Sequence, residues 1–318
     1  MPPRLLLLGA RGFLGSSVAR HIAEQHGAAE LVLHARRIDG SDEPIGSTDG
    51  PQWLGLDLER ADTRSFTELI DEAAPSVIVN CVGRTVGTPA ELRSANVDVV
   101  VRLIETLEGR TGVHLVHLGS ASEYGTQPRG VPVHEEVFAA PCTAHGVTKL
   151  EATELLIEAA AQRRITATVL RVFHPLGPRS PSNTLVGQAA RAIDAALRSG
   201  LETVRLGPLG GCSDCIDTRD VARAVCSASS MAPRAGCILN VGTGIALQHV
   251  ELVSKLAMIA GFRGEIVDDR VTVDRSRPDA WECADVDAIR RRLDWHAVHT
   301  VEDALGELWA ATHELSRS

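Results

Sequence analysis

Short apolar runs bounded by turn residues recur along this chain and alternate with segments whose apolar positions return every three or four residues. Arg4 to Leu8, between Pro3 and Gly9, reads as a fully buried strand. Glu30 to His34, Trp53 to Leu56, the run from Val77 into the turn at Val82-Gly83, Val113 to Leu118 and Ile165 to Val172 read as further strands. Between them, Val18, Ile22 and Ala23 sit at helical spacing, Asp62 caps a helix from Thr63 to Ala73, and Val97, Val100, Val101 and Ile104 follow Asn96. Val147, Leu150, Leu155 and Ile157 belong to a helix ending near Gln162. Strand and helix alternating, except for a loop between the second and third strands, predict an α/β fold with a parallel sheet. Residues 38–51, rich in Gly, Ser, Asp and Pro, read as a loop.

Beyond Val172 the alternation loosens into a helix from Asn183 to Ser199, a strand from Val204 to Leu206 and several turn-rich segments. The expected architecture is therefore a Rossmann-type doubly wound parallel sheet with a smaller C-terminal substrate-binding lobe. The sheet is expected over residues 1–172, with later returns to it, and the smaller lobe mainly over residues 173–318.

At 318 residues the chain can bury a large core, and its net charge of −9 argues against general nucleic-acid binding, which needs a basic surface. Seven scattered cysteines make no disulfide framework, so a reducing cytoplasm is the simplest compartment. Cys212 and Cys215 form a lone Cys-x-x-Cys with no second ligand pair, and no metal site is expected. The Leu5 to Leu8 run is too short to span a bilayer and fits a signal peptide poorly, so no membrane partner is expected.

Gly9-Ala10-Arg11-Gly12-Phe13-Leu14-Gly15 follows the first strand and opens a helix. In such a turn one glycine permits the bend, the next admits a pyrophosphate, and the third packs helix on strand. Gly9, Gly12, Phe13, Leu14 and Gly15 are thus cofactor candidates. Arg36 and Arg37 end the second strand, where an acidic residue would hold the 2′-hydroxyl of NAD and an arginine pairs with the extra phosphate of NADP. NADP is favoured, with NAD possible; the bland alternative is a solvated basic turn.

Gly119-Ser120-Ala121-Ser122-Glu123-Tyr124-Gly125 closes the fifth strand, and Ala144-His145-Gly146-Val147-Thr148-Lys149-Leu150 opens the following helix with one of only two lysines in the chain. With the glycine turn, these residues resemble the extended short-chain dehydrogenase/reductase family, whose hallmark is Tyr-x-x-x-Lys preceded by a serine or threonine. The resemblance spans essentially the whole chain, through Arg171-Val172-Phe173-His174-Pro175-Leu176-Gly177-Pro178, Asp217-Thr218-Arg219-Asp220-Val221 and Arg277-Pro278. Its flavour is that of reductases of nucleotide-linked 4-keto-6-deoxy sugars.

The resemblance implies roles. Ser120 and Lys149 take the catalytic places, with His145 where the tyrosine belongs. Asp57 and Leu58 stand beside the adenine, Asn80 opens the turn along the nicotinamide ribose, and Lys149 also holds that ribose. Ser122, Tyr124, His174, Arg179 and Arg277 are the substrate contacts, and the partner is a nucleotide sugar. Ser213 stands where the family has an arginine, removing a bidentate phosphate contact. Family members commonly pair through the helix bearing His145, so a homodimer is expected.

In that family hydride reaches a carbonyl carbon while tyrosine protonates the oxygen. A lysine ammonium near His145 disfavours the imidazolium, and neutral imidazole is a poor donor. The donor is then imidazolium, a water bridging from His145, Tyr124, His174 or an acidic substrate hydroxyl. His145 ranks first because its helix position aims it at the crevice; the competing reading is a ring that only fills the vacated space.

Overall fold

A computed structural model of the chain describes residues 4–26, 30–37, 50–231, 236–269 and 281–315. In the first half the chain runs β1 (Leu5–Leu8), α1 (Phe13–His26), β2 (Leu31–Ala35), β3 (Gln52–Gly55), α2 (Thr63–Ala73), β4 (Val77–Asn80), α3 (Pro89–Arg93), α4 (Val99–Leu107), β5 (His114–Ser120), α5 (Ala144–Ala161) and β6 (Thr166–Val172). The second half continues through β7 (Pro175–Leu176), α6 (Leu185–Ser199), β8 (Thr203–Leu206), β9 (Cys212–Asp214), β10 (Ile216–Asp217), α7 (Thr218–Ser229) and β11 (Cys237–Val241). It ends with β12 (Ala246–Gln248), α8 (His249–Ile259), β13 (Glu265–Asp268), β14 (Trp281–Glu282), α9 (Asp287–Leu293) and α10 (Val301–Leu315).

Seven parallel strands form the main sheet in the order β11-β6-β5-β4-β1-β2-β3. The alternation of a strand's side chains is visible in β1. Leu5 and Leu7 join α1 and α7 residues such as Val18, Ile22, Val221 and Val225 on one face. Leu6 and Leu8 meet Phe66, Ile70, Leu103 and Leu156 of α2, α4 and α5 on the other. With both faces covered, each of these leucines contributes roughly 1.5–3 kcal/mol by burial. The sheet is extended by β11, long after the chain has left it at β6.

The remaining strands make two smaller pairs and a three-stranded sheet, β12-β9-β14, and residues of β7, β8 and β13 join α6, α8 and α10 in a third core. Among the described residues no helix is long and apolar enough to cross a membrane.

Two departures from the sequence expectation bear on the site. The helix expected from Asn96 begins earlier: Thr88 and Glu91 form a reciprocal capping box with Pro89 in the first turn. Between α3 and α4 the chain widens into a π-helical turn, Ser94–Asp98, which carries Asn96.

Candidate active site

Strand order reverses direction at β1, whose neighbours are β4 and β2, and the crevice beyond the strand ends at such a point is where ligands bind in these sheets. Two turns flank it. Gly9 adopts φ 78°, and its amide geometry lets Gly12 N–H donate to Gly9 O at 2.9 Å. A Cβ at Gly15 would lie 2.0 Å from Gly9 O, so α1 can leave the strand this tightly only with glycine there. Phe13 and Leu14 begin α1, where backbone N–H groups lack partners within the helix and favour an anion. The cradle therefore fits a dinucleotide pyrophosphate.

The turn is fixed from behind by His34, which is 3% exposed at the end of β2. Gly9 N–H points to its Nδ1 at 3.3 Å, and its Nε2 lies 2.8 Å from Leu56 O. Nε2 therefore donates and Nδ1 accepts, which requires a neutral ring; burial lowers the pKa to about 4 despite the Leu56 carbonyl and nearby Asp57. Sequence reasoning treats His34 only as a strand residue. The signal was a polar side chain ending an otherwise apolar run.

At the far end of the crevice Arg36 is half-exposed and ion-paired with Glu59, with Asp57 Oδ1 3.7 Å from its Nε. Arg84 holds the same Glu59 at 3.0 and 3.1 Å. Arg37 is exposed, and the Arg11 guanidinium lies 5.5 Å from the Trp53 ring. Asp57 keeps the following turn through Glu59 N–H, while Leu58 is buried in the core beneath it.

Ser120, Ser122, His145 and Lys149 come together where β5 meets α5. Ser120 Oγ and Ser122 Oγ are 2.8 Å apart, and Ser122 Oγ lies 3.2 Å from His145 Nδ1. Ser122 N–H donates to Ser120 Oγ at 3.2 Å, and Ser120 N–H donates to Glu123 at 2.8 Å. Beneath them Lys149 is 7% exposed and donates to Leu118 O at 2.6 Å. Its pKa is lowered by burial, against the pull of Glu123 and Cys81. His145 is lowered to about 4 by burial and then by the Lys149 charge.

Asn96 locks this assembly to the β4 turn. Its Oδ1 accepts from Arg84 N–H at 2.8 Å, and its Nδ2 donates to Arg84 O and to Thr148 Oγ1 at 3.0 and 2.9 Å. A Cβ at Gly83 would lie 2.9 Å from Asn96 Oδ1 and 3.5 Å from Lys149 Nζ, so this turn leaves open the space over the lysine. The widened π-helical turn gives Asn96 this reach. Gly146 does the same for α5: a Cβ there would lie 2.4 Å from Ser122 O.

Several expected contacts are placed elsewhere. Tyr124 is 1% exposed, its hydroxyl donates to Asn240 Oδ1 at 2.6 Å, and burial raises its pKa to about 12. Its ring packs under Arg171, 4.4 Å from the guanidinium, so it is a core residue and neither a substrate contact nor a proton donor. Asn80 is 1% exposed, with Nδ2 on His117 Nδ1 and Oδ1 accepting from Val82 N–H; it shapes the turn and offers no free group to a cofactor. His174 keeps 44% of its side chain exposed, and its Nε2 meets Glu282 at 2.6 Å; loss of part of its water shell lowers the ring's pKa, but the Glu282 carboxylate outweighs this and raises it.

Ser213 on β9 pairs with Glu282 on β14 in register and lies 2.9 Å from His249 Nε2. Glu282 and His249 escaped sequence reasoning because they meet His174 and Ser213 only through long-range strand pairing. Arg179 is exposed in a left-handed turn at φ 66°. Arg277 lies outside the described residues.

Comparison with known proteins matches residues 5–242 to the NAD dependent epimerase/dehydratase family. The chain is 33% identical over 316 residues to dTDP-6-deoxy-L-talose 4-dehydrogenase (NAD(P)(+)) of Kitasatospora kifunensis, covering 98% of this chain and 96% of that one. It is 28% identical to GDP-6-deoxy-D-mannose reductase of Pseudomonas aeruginosa, with 87% and 86% covered. Among solved structures it is similar to UDP-glucose-4-epimerase from Stenotrophomonas maltophila with bound NAD and formylated UDP-arabinopyranose, at a TM-score of 0.85 and 25% identity, with 99% of each chain covered. Sheet order, glycine turn and the serine–lysine pair agree with the match across most of the sequence: the chain belongs to the NAD dependent epimerase/dehydratase family.

Proposed function

We propose that this chain is an NADP(H)-dependent reductase that converts the 4-keto group of a TDP- or GDP-bound 4-keto-6-deoxyhexose to the alcohol. The observation that carries the reading is the serine–serine–histidine line above a buried lysine at the end of β5, with a glycine turn shaped for a pyrophosphate at the end of β1 in the same sheet. The relatives support the position: one is named for oxidation at sugar C4, which in reverse is this reduction, and another is named a reductase.

The glycine turn, with the N–H groups of Phe13 and Leu14, would hold the pyrophosphate, Lys149 the nicotinamide ribose, and Arg36 and Arg37 the 2′-phosphate of NADP. The bound dinucleotide supplies a hydride. The chain's own work is to seat the ketone beside Ser120 and to bring a proton to its oxygen by way of His145. Ser122, His174, Arg179 and Arg277 are proposed to meet the substrate. A homodimer through α5, whose Val147 is 49% exposed, and a cytoplasmic location complete the proposal.

The test is NADPH absorbance with TDP- and GDP-linked 4-keto-6-deoxyhexoses, beside binding of free TDP and GDP. Consumption of NADPH with a nucleotide sugar supports the reading. A second reading, a ketoreductase for another small natural product such as a polyketide, draws on Ser213 and His249 standing where an arginine would grip a diphosphate. No affinity for TDP or GDP and no turnover of either sugar would favour it.

A further inference from the structure

A hydride added to a ketone leaves a negative oxygen that must be protonated, and the residue in the tyrosine's place has no phenol to give. The surroundings of His145 decide how it could act. Its pKa of about 4 leaves on the order of one ring in a thousand charged at neutral pH, so an imidazolium donor is nearly absent. A neutral imidazole parts with one proton readily only if its other nitrogen gains one at the same moment. Here that other nitrogen is engaged: Nδ1 faces Ser122 Oγ at 3.2 Å, and Ser122 Oγ faces Ser120 Oγ at 2.8 Å.

We propose that His145 works as a neutral, two-ended proton relay, with Nε2–H serving the substrate oxygen and Nδ1 refilled by Ser122 and Ser120. The proposal rests on the ketone-reductase reading above and adds to it a hydroxyl chain acting through the imidazole. Ser120 Oγ accepts the Ser122 N–H at 3.2 Å, which leaves its own hydroxyl hydrogen to donate to Ser122 Oγ. Ser122 in turn donates to Nδ1, and Nε2 keeps its hydrogen. All three side chains are partly exposed, as a path from solvent to substrate requires. The missing Cβ at Gly146 is what lets α5 come this close to the Ser122 backbone.

The step balances. Reduced nicotinamide dinucleotide provides the hydride to the carbonyl carbon, and the C=O π pair moves to oxygen. An O–H bond forms there as Nε2–H breaks; Nδ1–H forms as the Ser122 O–H breaks. Ser122 oxygen takes the proton of Ser120, and Ser120 takes one from solvent. Ketone, reduced dinucleotide and one solvent proton become alcohol and oxidised dinucleotide. The ring ends as the other tautomer, and alcohol oxidation runs the chain backwards and restores it; between reductive turnovers exchange with solvent does so.

Nitrogen-15 NMR of the full chain labelled at histidine reads the tautomer without any turnover, with His145→Gln assigning the resonance. The relay requires a neutral ring at pH 7 with hydrogen on Nε2. It also requires that Ser122→Ala shift the ring toward a tautomer mixture and that Ser122→Thr restore it. A charged ring, or hydrogen on Nδ1 in the wild type, overturns the proposal. With any ketone the enzyme reduces, rates in mixed light and heavy water should curve with deuterium fraction, as several protons move together. Ser122→Ala should lower kcat by about tenfold or more, leave KM for NADPH unchanged and make that plot linear. A linear plot in the wild type, or an undiminished kcat in Ser122→Ala, also overturns it. Failure of the nucleotide-sugar reading would show separately, as reduction of other ketones only or as no turnover beside an intact NMR signature.

Discussion

His34 makes acid sensitivity a calculable property of the glycine turn. Its ring accepts from Gly9 N–H and donates to Leu56 O, and protonation would set a second N–H against Gly9. The pKa falls from 6.5 to about 4 on folding, chiefly through burial. The folded ring therefore binds a proton only near pH 4, whereas the unfolded ring binds one from about pH 6.5 downward. Stability from this group is complete above 6.5 and is lost as pH falls toward 4. At pH 4.5 the loss is about 2.5 kcal/mol, at about 1.4 kcal/mol per pH unit across the interval. His114, His117 and His145 are lowered too and share the sign, so the contribution of His34 must be read as a difference. Urea unfolding of wild type and His34→Gln, followed by tryptophan fluorescence at pH 7 and 4.5, supplies it. The wild type should lose about 2.5 kcal/mol more than the variant. Equal losses, or a His34 resonance titrating near 6.5, would refute the neutral bridge.

Three further outcomes follow from particular contacts. Arg171→Met strands the Glu123 carboxylate, 0% exposed and 2.7 Å from the guanidinium, and should cost about 3–5 kcal/mol in urea unfolding. Replacing Glu123 by Leu in the same chain should recover much of that loss. Glu59→Gln releases Arg36 while removing a charge that rivals a 2′-phosphate, so KM for NADPH should fall by up to about fivefold and KM for NADH should not change. Gly146→Ala forces α5 away from Ser122 O and should lower kcat by about tenfold or more with little change in NADPH affinity, measured by steady-state kinetics.

The sheet was largely legible because parallel strands covered on both faces must be short apolar runs, as Leu5–Leu8 and Val77–Asn80 are. The glycine turn was legible for the same local reason: Gly15 has no room for a side chain whatever the rest of the chain does. Ser120 and Lys149 could be placed by their positions at a strand end and a helix start. Side-chain direction was not legible. Tyr124 lies four residues past Ser120, yet it points into the core because its hydroxyl finds Asn240, 116 residues away. Asn80 turns inward to His117 on the neighbouring strand for a similar reason. The Thr88–Glu91 capping box was written locally and could have been found from its spacing. Glu282 and His249 could not, because only the pairing of β9 with β14 and β12 gathers them around Ser213.

The direct measurement is transfer of label from NADPH deuterated at C4 to a TDP- or GDP-linked 4-keto-6-deoxyhexose, with the sugar product read by NMR in the wild type and in His145→Ala. One deuterium at sugar C4 is expected in the wild type, and a rate about a hundredfold or more lower in the variant, with NADPH affinity retained. Label absent from C4, or a His145→Ala rate equal to the wild type, would contradict it.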